Sequence, residues 1–238
     1  MDQEGKNVMK LEKVCHFAFI AIIIFMFLNP SARAVTVKNM ELLTELEASD
    51  FFEHAQFYVS ETNQSNTKSI TSFAVSDDGL LWIAKNSSGS DSHIDVYDWQ
   101  GNYQFSLFYQ AHGVANVIQE DGKCYLYFIR ENIMVELNGM QLPINAYIVR
   151  DTERKNVFQN MESDVRIVQE HTFIRRSGNN LLKLLGVHAQ IVDCSTLEEV
   201  ILYDATGECV RSIFTNIFFF LFLFASIVFM YFVSRKNR

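Results

Sequence analysis

The groups through which this chain could do chemistry are its histidines, a run of carboxylates, an arginine pair and one tryptophan in a turn. The histidines are His16, His54, His93, His112, His171 and His188. A zinc hydrolase places two of them on one helix face, as H-x-x-x-H or H-E-x-x-H, so that both imidazoles reach one ion. Neither spacing occurs. His93 and His112 could approach each other only across separate strands, and the plainer reading makes them surface-loop residues. Asp77, Asp78, Asp91, Asp95 and Asp98 form an acidic stretch. A calcium ion needs six to eight oxygen ligands around a tight loop, and Asp77-Asp78-Gly79 is too short for one, so it reads as a hairpin turn. Paired carboxylates can cleave a glycoside, but nothing marks a particular pair. Arg175-Arg176, beside Ser177-Gly178-Asn179-Asn180, could grip an anion; the plainer reading is a solvated strand edge. Trp99 lies in a turn, where an exposed indole is a candidate contact for a sugar or peptide and a buried one packs over the turn. Nucleophile elbow, P-loop and dinucleotide fingerprints do not occur. The sequence thus assigns no catalytic residue, no metal ligand and no cofactor.

The elements that must position these residues are mostly β. From residue 56 onward, period-two runs of β-formers (FYVSE, SITSFAVS, LLWIAK, HIDVYD, YQFSLF, VANVIQ, KCYLYFI, IMVEL) alternate with turn-rich clusters. After a charged insert at 150–164, read as a loop or short helix, strands are expected again in DVRIVQE, HTFIRRS, NNLLKLLG, AQIVDC, EVILYD and ECVRSI. A short helix is expected near 38–48 from the leucine spacing. One phrase occurs twice: VYDWQGNYQFSLF at 96–108 and LYDATGECVRSIF at 202–214 share Tyr97/Tyr203, Asp98/Asp204, Gly101/Gly207, Ser106/Ser212 and Phe108/Phe214. Tyr-Asp-x-x-Gly should close one strand and start the next. The carboxylates of Asp98 and Asp204 can accept from backbone N–H groups two residues on, and Gly101 and Gly207 can take positive φ. Asp78-Gly79 and Asp121-Gly122 should turn two further hairpins, with Gly79 and Gly122 spaced 43 residues apart. The Asn179-Asn180 pair is expected to turn a third.

The stretches SFAVSDDGLLWIAKN…HIDVYDWQGNYQFSL and NVIQEDGKCYLYFIRENIMVELNGMQLPI resemble blades of the NHL and six-bladed β-propeller type. The resemblance covers roughly residues 56–211 and implies four-stranded antiparallel blades, an architecture that commonly serves recognition. Rings of that kind commonly hold about six to eight blades. Residues 56–211 supply about four at 40–45 residues each, which implies an incomplete or small ring, an open array or half of a dimer.

Two apolar runs decide the expected location. Residues 14–28 are uncharged, follow Lys6, Lys10 and Lys13, and precede Asn29-Pro30 and Ala32-Arg33-Ala34. A basic region, a short apolar run and an A-x-A site are the parts of a signal peptide over 1–34, or of an uncleaved anchor. Residues 213–233 are long enough to span a bilayer, and Arg235, Lys236 and Arg238 follow at once. The expected layout is a helical stalk or cap at 35–55, an exported β-domain at 56–211, a transmembrane helix at 213–233 and a cytoplasmic tail at 234–238. An uncleaved 1–34 would make the protein two-pass. Residues 35–211 hold 25 Asp and Glu against 13 Lys and Arg, which argues against nucleic acid as a partner. Cys124, Cys194 and Cys209 are expected as free, mostly buried thiols, and Cys15 lies in the first apolar run. The sequons Asn63-Gln64-Ser65 and Asn86-Ser87-Ser88 matter only in a host that glycosylates them. The expected partners are the bilayer and either a protein or a second copy meeting an open β-edge. The leading function is a membrane-anchored binding module. The alternatives are a glycan-acting hydrolase or lyase and an accessory subunit of a membrane complex.

Overall fold

The computed structural model describes residues 40–62, 68–85, 92–110, 115–140, 142–143, 145–196 and 198–236, with side chains up to residue 227. The expected leader at 1–34, His16, His112, Cys15, Asp91 and both sequons lie outside the described residues. In chain order the elements are β1 (Glu41–Leu42), α1 (Glu45–Ala55), β2 (Tyr58–Ser60), β3 (Ile70–Val75), β4 (Leu80–Lys85), β5 (Ser92–Asp98) and β6 (Tyr103–Tyr109). Then come β7 (Ala115–Glu120), β8 (Lys123–Phe128), β9 (Ile133–Leu137), β10 (Ala146–Ile148) and α2 (Asp151–Glu162). The chain ends in β11 (Val165–Val168), β12 (His171–Arg176), α3 (Asn180–Leu184), β13 (Gln190–Asp193), β14 (Val200–Asp204) and α4 (Thr206–Lys236).

The strands form three antiparallel sheets, ordered β2-β6-β5-β4-β3, β1-β10-β9-β8-β7 and β11-β12-β13-β14. Each contains a meander of four consecutive strands, because short turns leave successive strands no nearer neighbour. The first two meanders gain a fifth strand from the N-terminal segment, β2 beside β6 and β1 beside β10. Among the described residues no sheet closes on itself and β14 pairs with β13 alone. The turns follow local chemistry. Gly79 has φ +90, and the β7–β8 turn holds Asp121 and Gly122 both at positive φ, as a two-residue hairpin requires.

Side chains, not strands, join the first strands of the meanders. Ser72 Oγ accepts from the Val117 N–H at 2.8 Å, and Gln119 Oε1 accepts from the Val75 N–H at 3.2 Å. Arg166 Nε donates to the Phe73 carbonyl at 3.1 Å and its Nη2 to the Asn160 carbonyl at 2.6 Å. Arg175 donates to the carbonyls of Thr71 and Glu162 and to Asp164. The planar fork of arginine can serve several acceptors at once, so the β3 edge is satisfied without a paired strand. Burial, with Arg175 adding repulsion, lowers the Arg166 guanidinium to about 10. Apolar packing fills the gaps: Trp82, Phe105, Leu126 and Phe128 sit in one buried cluster, Phe73, Ile83, Phe173 and Leu182 in a second, and Ile118, Tyr127 and Met134 in a third.

Three expectations for secondary structure are corrected. The first helix is α1 at 45–55 and not 38–48, because Thr44 caps it and Leu42 and Leu43 lie before it. NNLLKLLG is not a strand: Asn179 Oδ1 accepts from the Leu182 N–H at 2.9 Å and starts α3, and leucine and lysine favour helix. The third hairpin instead turns at Gln169-Glu170, with Gln169 at φ +54. ECVRSI is likewise not a strand but the opening of α4. Asp204 Oδ1 accepts from the Thr206 N–H at 2.8 Å, so the second copy of the repeated phrase starts a helix where the first makes a turn. Gly207 accordingly lies inside α4, whereas Gly101 has φ +83. The two copies also touch: the Tyr97 and Tyr203 rings meet edge-on at 5.7 Å between centroids.

Candidate functional site

An apolar surface with polar groups around it lies beside α1, and the way that helix starts and stops creates it. Thr44 and Glu47 cap each other. The Glu47 N–H donates to Thr44 Oγ1 at 3.4 Å, and the Glu47 carboxylate accepts from the Thr44 N–H at 3.1 Å and hydroxyl at 2.7 Å. Gln56 ends the helix in the left-handed region at φ 43. The Leu43 N–H donates to Ala146 O at 2.9 Å and the Gln110 N–H donates to Ala55 O at 2.7 Å. One end of α1 is thus tied to the second sheet and the other to the first. Phe51 packs edge-on against Phe128 at 5.2 Å, and Phe52 against Phe57 at 6.0 Å.

Held this way, α1 forms one wall of a groove of about 440 Å³. Leu43, Phe51, Ala55 and Ile133 make its apolar floor, and Glu47, Asp50, His54, Gln110 and Glu131 line it with polar groups. Hydrogen bonds from Thr44 hold the Glu47 carboxyl below its usual range. His54 Nδ1 lies 2.7 Å from the Asp50 carbonyl and 3.6 Å from its carboxylate, which raises the imidazole above its ordinary value. Neither lysine nor arginine is among these lining residues, and neither is serine, threonine or cysteine. The groove is suited to an apolar group that carries positive charge, and no hydroxyl or thiol lines it. Thr44-x-x-Glu47, a capping box, is a local signal for the start of α1 that leucine spacing overlooks; the groove itself joins α1, the end of β6 and the β8–β9 turn.

The residues singled out by type and spacing are dispersed. Asp95 lies inside the first sheet, ion-paired with Lys85 and accepting from Ser106 Oγ at 2.6 Å. Tyr103 and Ser106 hydroxyls are 2.9 Å apart, and the Lys85 ammonium lies 5.3 Å from the centre of the Tyr203 ring. Asp95 and Lys85 are almost fully buried, so this network lies inside the fold. Asp98 accepts from the Gln100 and Asn102 N–H groups at 2.9 and 2.8 Å, as a turn aspartate should. Asp78 and Asp121 line a separate cavity of about 370 Å³ with Asp77, Lys123 and Glu136. The Asp77 N–H donates there to the Gly122 carbonyl at 2.9 Å, which joins two hairpin turns. Among the described residues no three His, Cys, Asp or Glu side chains are placed to share a metal ion.

Arg175 and Arg176 line a third cavity, of about 540 Å³, together with Lys183 and His188. Their guanidinium groups are engaged, Arg175 as above and Arg176 with Gln190 at 3.0 Å and Glu199 at 2.6 Å. His171 and Asp193 form a dyad at 2.7 Å, and Ser195 also bonds Asp193. Burial pushes the Asp193 carboxyl up, but bonds from Ser195 and His171 outweigh it and leave it below the usual range. The serine binds the carboxylate and not the imidazole, which is not the arrangement that activates a hydroxyl. Trp99 is half-buried beside this dyad, 4.8 Å from the His171 ring and 5.7 Å from Phe173. Burial raises the Cys124 thiol far above its ordinary value, so it stays protonated. Cys124, Cys194 and Cys209 are free.

α4 completes the picture as the apolar arm of the domain. Its stretch Thr206–Ile227, of 22 residues with mean hydropathy 1.9, is long and apolar enough to cross a membrane. At 1.5 Å per residue it spans about 33 Å, against about 30 Å of hydrocarbon. Cys209, Val210 and Ile213 pack into the second core cluster, so the arm leaves the β-domain without a linker. No family model, no curated protein and no solved structure matches the chain.

Proposed function

We propose that this chain is a membrane-anchored, extracytoplasmic interaction module that binds a basic segment with an apolar anchor in the groove under α1. The carrying observation is the combination of a floor made by Leu43, Phe51 and Ile133 with a rim bearing Glu47, Asp50 and Glu131. Opposite charge steers a ligand and fixes its register, while the apolar anchor supplies affinity. The three meanders, meeting at β3, β7 and β11, support a reading as blades of a small, unclosed propeller. The arginines and lysines at 235–238 support a cytoplasmic tail and hence an exported β-domain.

Fluorescence anisotropy on the full-length protein in nanodiscs tests this, with a labelled Lys/Leu amphipathic peptide and its Glu/Leu counterpart as probes. The basic peptide should bind more tightly, and Asp50→Lys/Glu131→Lys should weaken it at least about tenfold, the effect of 1.4 kcal/mol. Equal binding of both peptides, or indifference to the double substitution, overturns the proposal.

A second reading, an accessory subunit that pairs with a partner strand, is favoured by one observation. β14 pairs with β13 on one side and with no strand on the other among the described residues, and its Val200 and Ile201 are 50% and 49% exposed. An open edge with exposed apolar residues templates strand addition. Native mass spectrometry of the detergent-solubilised protein would then give a dimer that Ile201→Lys dissociates. A monomer whose recovery with co-purified chains ignores Ile201→Lys removes this reading.

A further inference from the structure

α3 is a five-residue helix whose leucines divide between inside and outside. Leu182 is fully buried in the second core cluster, together with Cys209 and, at its margin, Val210 and Ile213 of α4. Leu184 is 83% exposed, Leu185 51% and Leu181 38%. α3 therefore packs beside the first two turns of α4 while presenting a leucine surface outward. The loop leading into α3 is equally close, since a side chain at Gly178 would collide with the Thr206 hydroxyl. Three neighbouring exposed leucines make an apolar patch of the kind that can mark a membrane contact.

The level of α3 along α4 identifies what covers it. Residues 206–212 of α4 are mixed, with Glu208 and Arg211 exposed, whereas from Ile213 to Ile227 no charged residue occurs and Thr215, Asn216 and Ser226 are the polar members. Four residues of helix separate Cys209, which clusters with Leu182, from Ile213, about 6 Å. If hydrocarbon begins near Ile213, then Cys209 and Val210, which pack in one cluster with Leu182, lie in the headgroup layer, which adds about 5–8 Å to each side of the core. We infer that α3 is an interfacial foot: Leu181, Leu184 and Leu185 dip into the leaflet that α4 enters, while Lys183 lies at the phosphate level. Leucines below and a lysine at the polar boundary are the composition of a helix that lies in a membrane interface. The foot would fix the tilt of the β-domain over the bilayer, because α3 and the start of α4 share one packed core. This inference rests on α4 spanning the membrane.

The test uses full-length protein in liposomes with tryptophan reporters and lipids brominated at shallow or deep acyl positions. Leu184→Trp is expected to lose emission with shallow bromines, Phe218→Trp with deep bromines, and Leu46→Trp, on exposed α1, with neither. The added emission of Leu184→Trp should also shift to the blue on transfer from detergent-free buffer-exposed controls such as Leu46→Trp. Quenching of Phe218→Trp without quenching of Leu184→Trp leaves the span intact and overturns the foot. Failure to quench Phe218→Trp overturns the span itself and the foot with it.

Discussion

Lys85 and Asp95 show how this protein handles charge at the level of single residues. Their side chains are 1% and 2% exposed, and a buried charge is tolerated only with a partner and further hydrogen bonds. Lys85→Met leaves Asp95 with Ser106 and with His93 Nε2 at 3.5 Å but without its lysine, and should cost about 3–5 kcal/mol in denaturant unfolding. The double variant Lys85→Met/Asp95→Leu should lose less than the single one, since no charge is stranded. An equal or larger loss in the double variant would show that the pair itself stabilises the fold. His54 carries a pH dependence of two signs. Its folded-state pKa lies above the ordinary 6.5 because of the Asp50 carbonyl and carboxylate. Protonation therefore stabilises the fold below about pH 6.5, and this contribution disappears as pH rises through the raised value. Binding of a cationic ligand runs the other way, since neutral His54 leaves the rim more negative. Affinity for the basic peptide should fall as pH drops through that value, and His54→Gln should flatten the profile in a pH titration. Asp98 and Gly101 were legible as a turn because their roles are local. Asp95 was not legible as a core residue, because its partners Lys85 and Ser106 come from neighbouring strands.

At the scale of elements, the repeated phrase makes a sharp prediction. Gly101 has φ +83, and a side chain there would come within 2.9 Å of the Leu202 carbonyl. Gly207 sits in α4 with open space around it. Gly101→Ala should destabilise by at least about 1 kcal/mol, whereas Gly207→Ala should stabilise by about 0.5 kcal/mol. Thermal unfolding of the two variants checks the opposite signs; equal shifts would mean that the copies share one conformation. Thr44→Ala removes the cap of α1 and should cost about 1 kcal/mol. Because α1 is a wall of the groove, the same substitution should weaken peptide binding without touching the rim charges. Period-two strands were readable because half-buried sheets impose that alternation. α3 and the start of α4 were misread because short apolar runs fit strand and helix alike. The deciding contacts were the Asn179 cap and the Asp204 cap, which depend on where the preceding strand ends.

For the whole molecule, the described residues are organised as three meanders joined through side chains and set on an apolar helix. Apolar length and flanking charge made that helix plain in the sequence. The groove was not plain, since Leu43, Gln110 and Ile133 lie far apart along the chain. With a C-terminal epitope tag, external protease on intact cells should leave a small tagged fragment from near residue 206 onward. Full protection of the chain would place the β-domain in the cytoplasm instead. The central claim, that the rim of the α1 groove selects a basic partner, is tested most directly by a charge swap. The account predicts that Asp50→Lys/Glu131→Lys loses the Lys/Leu peptide and gains the Glu/Leu peptide, each measured by anisotropy on the full-length protein. Unchanged preference after the swap would contradict it.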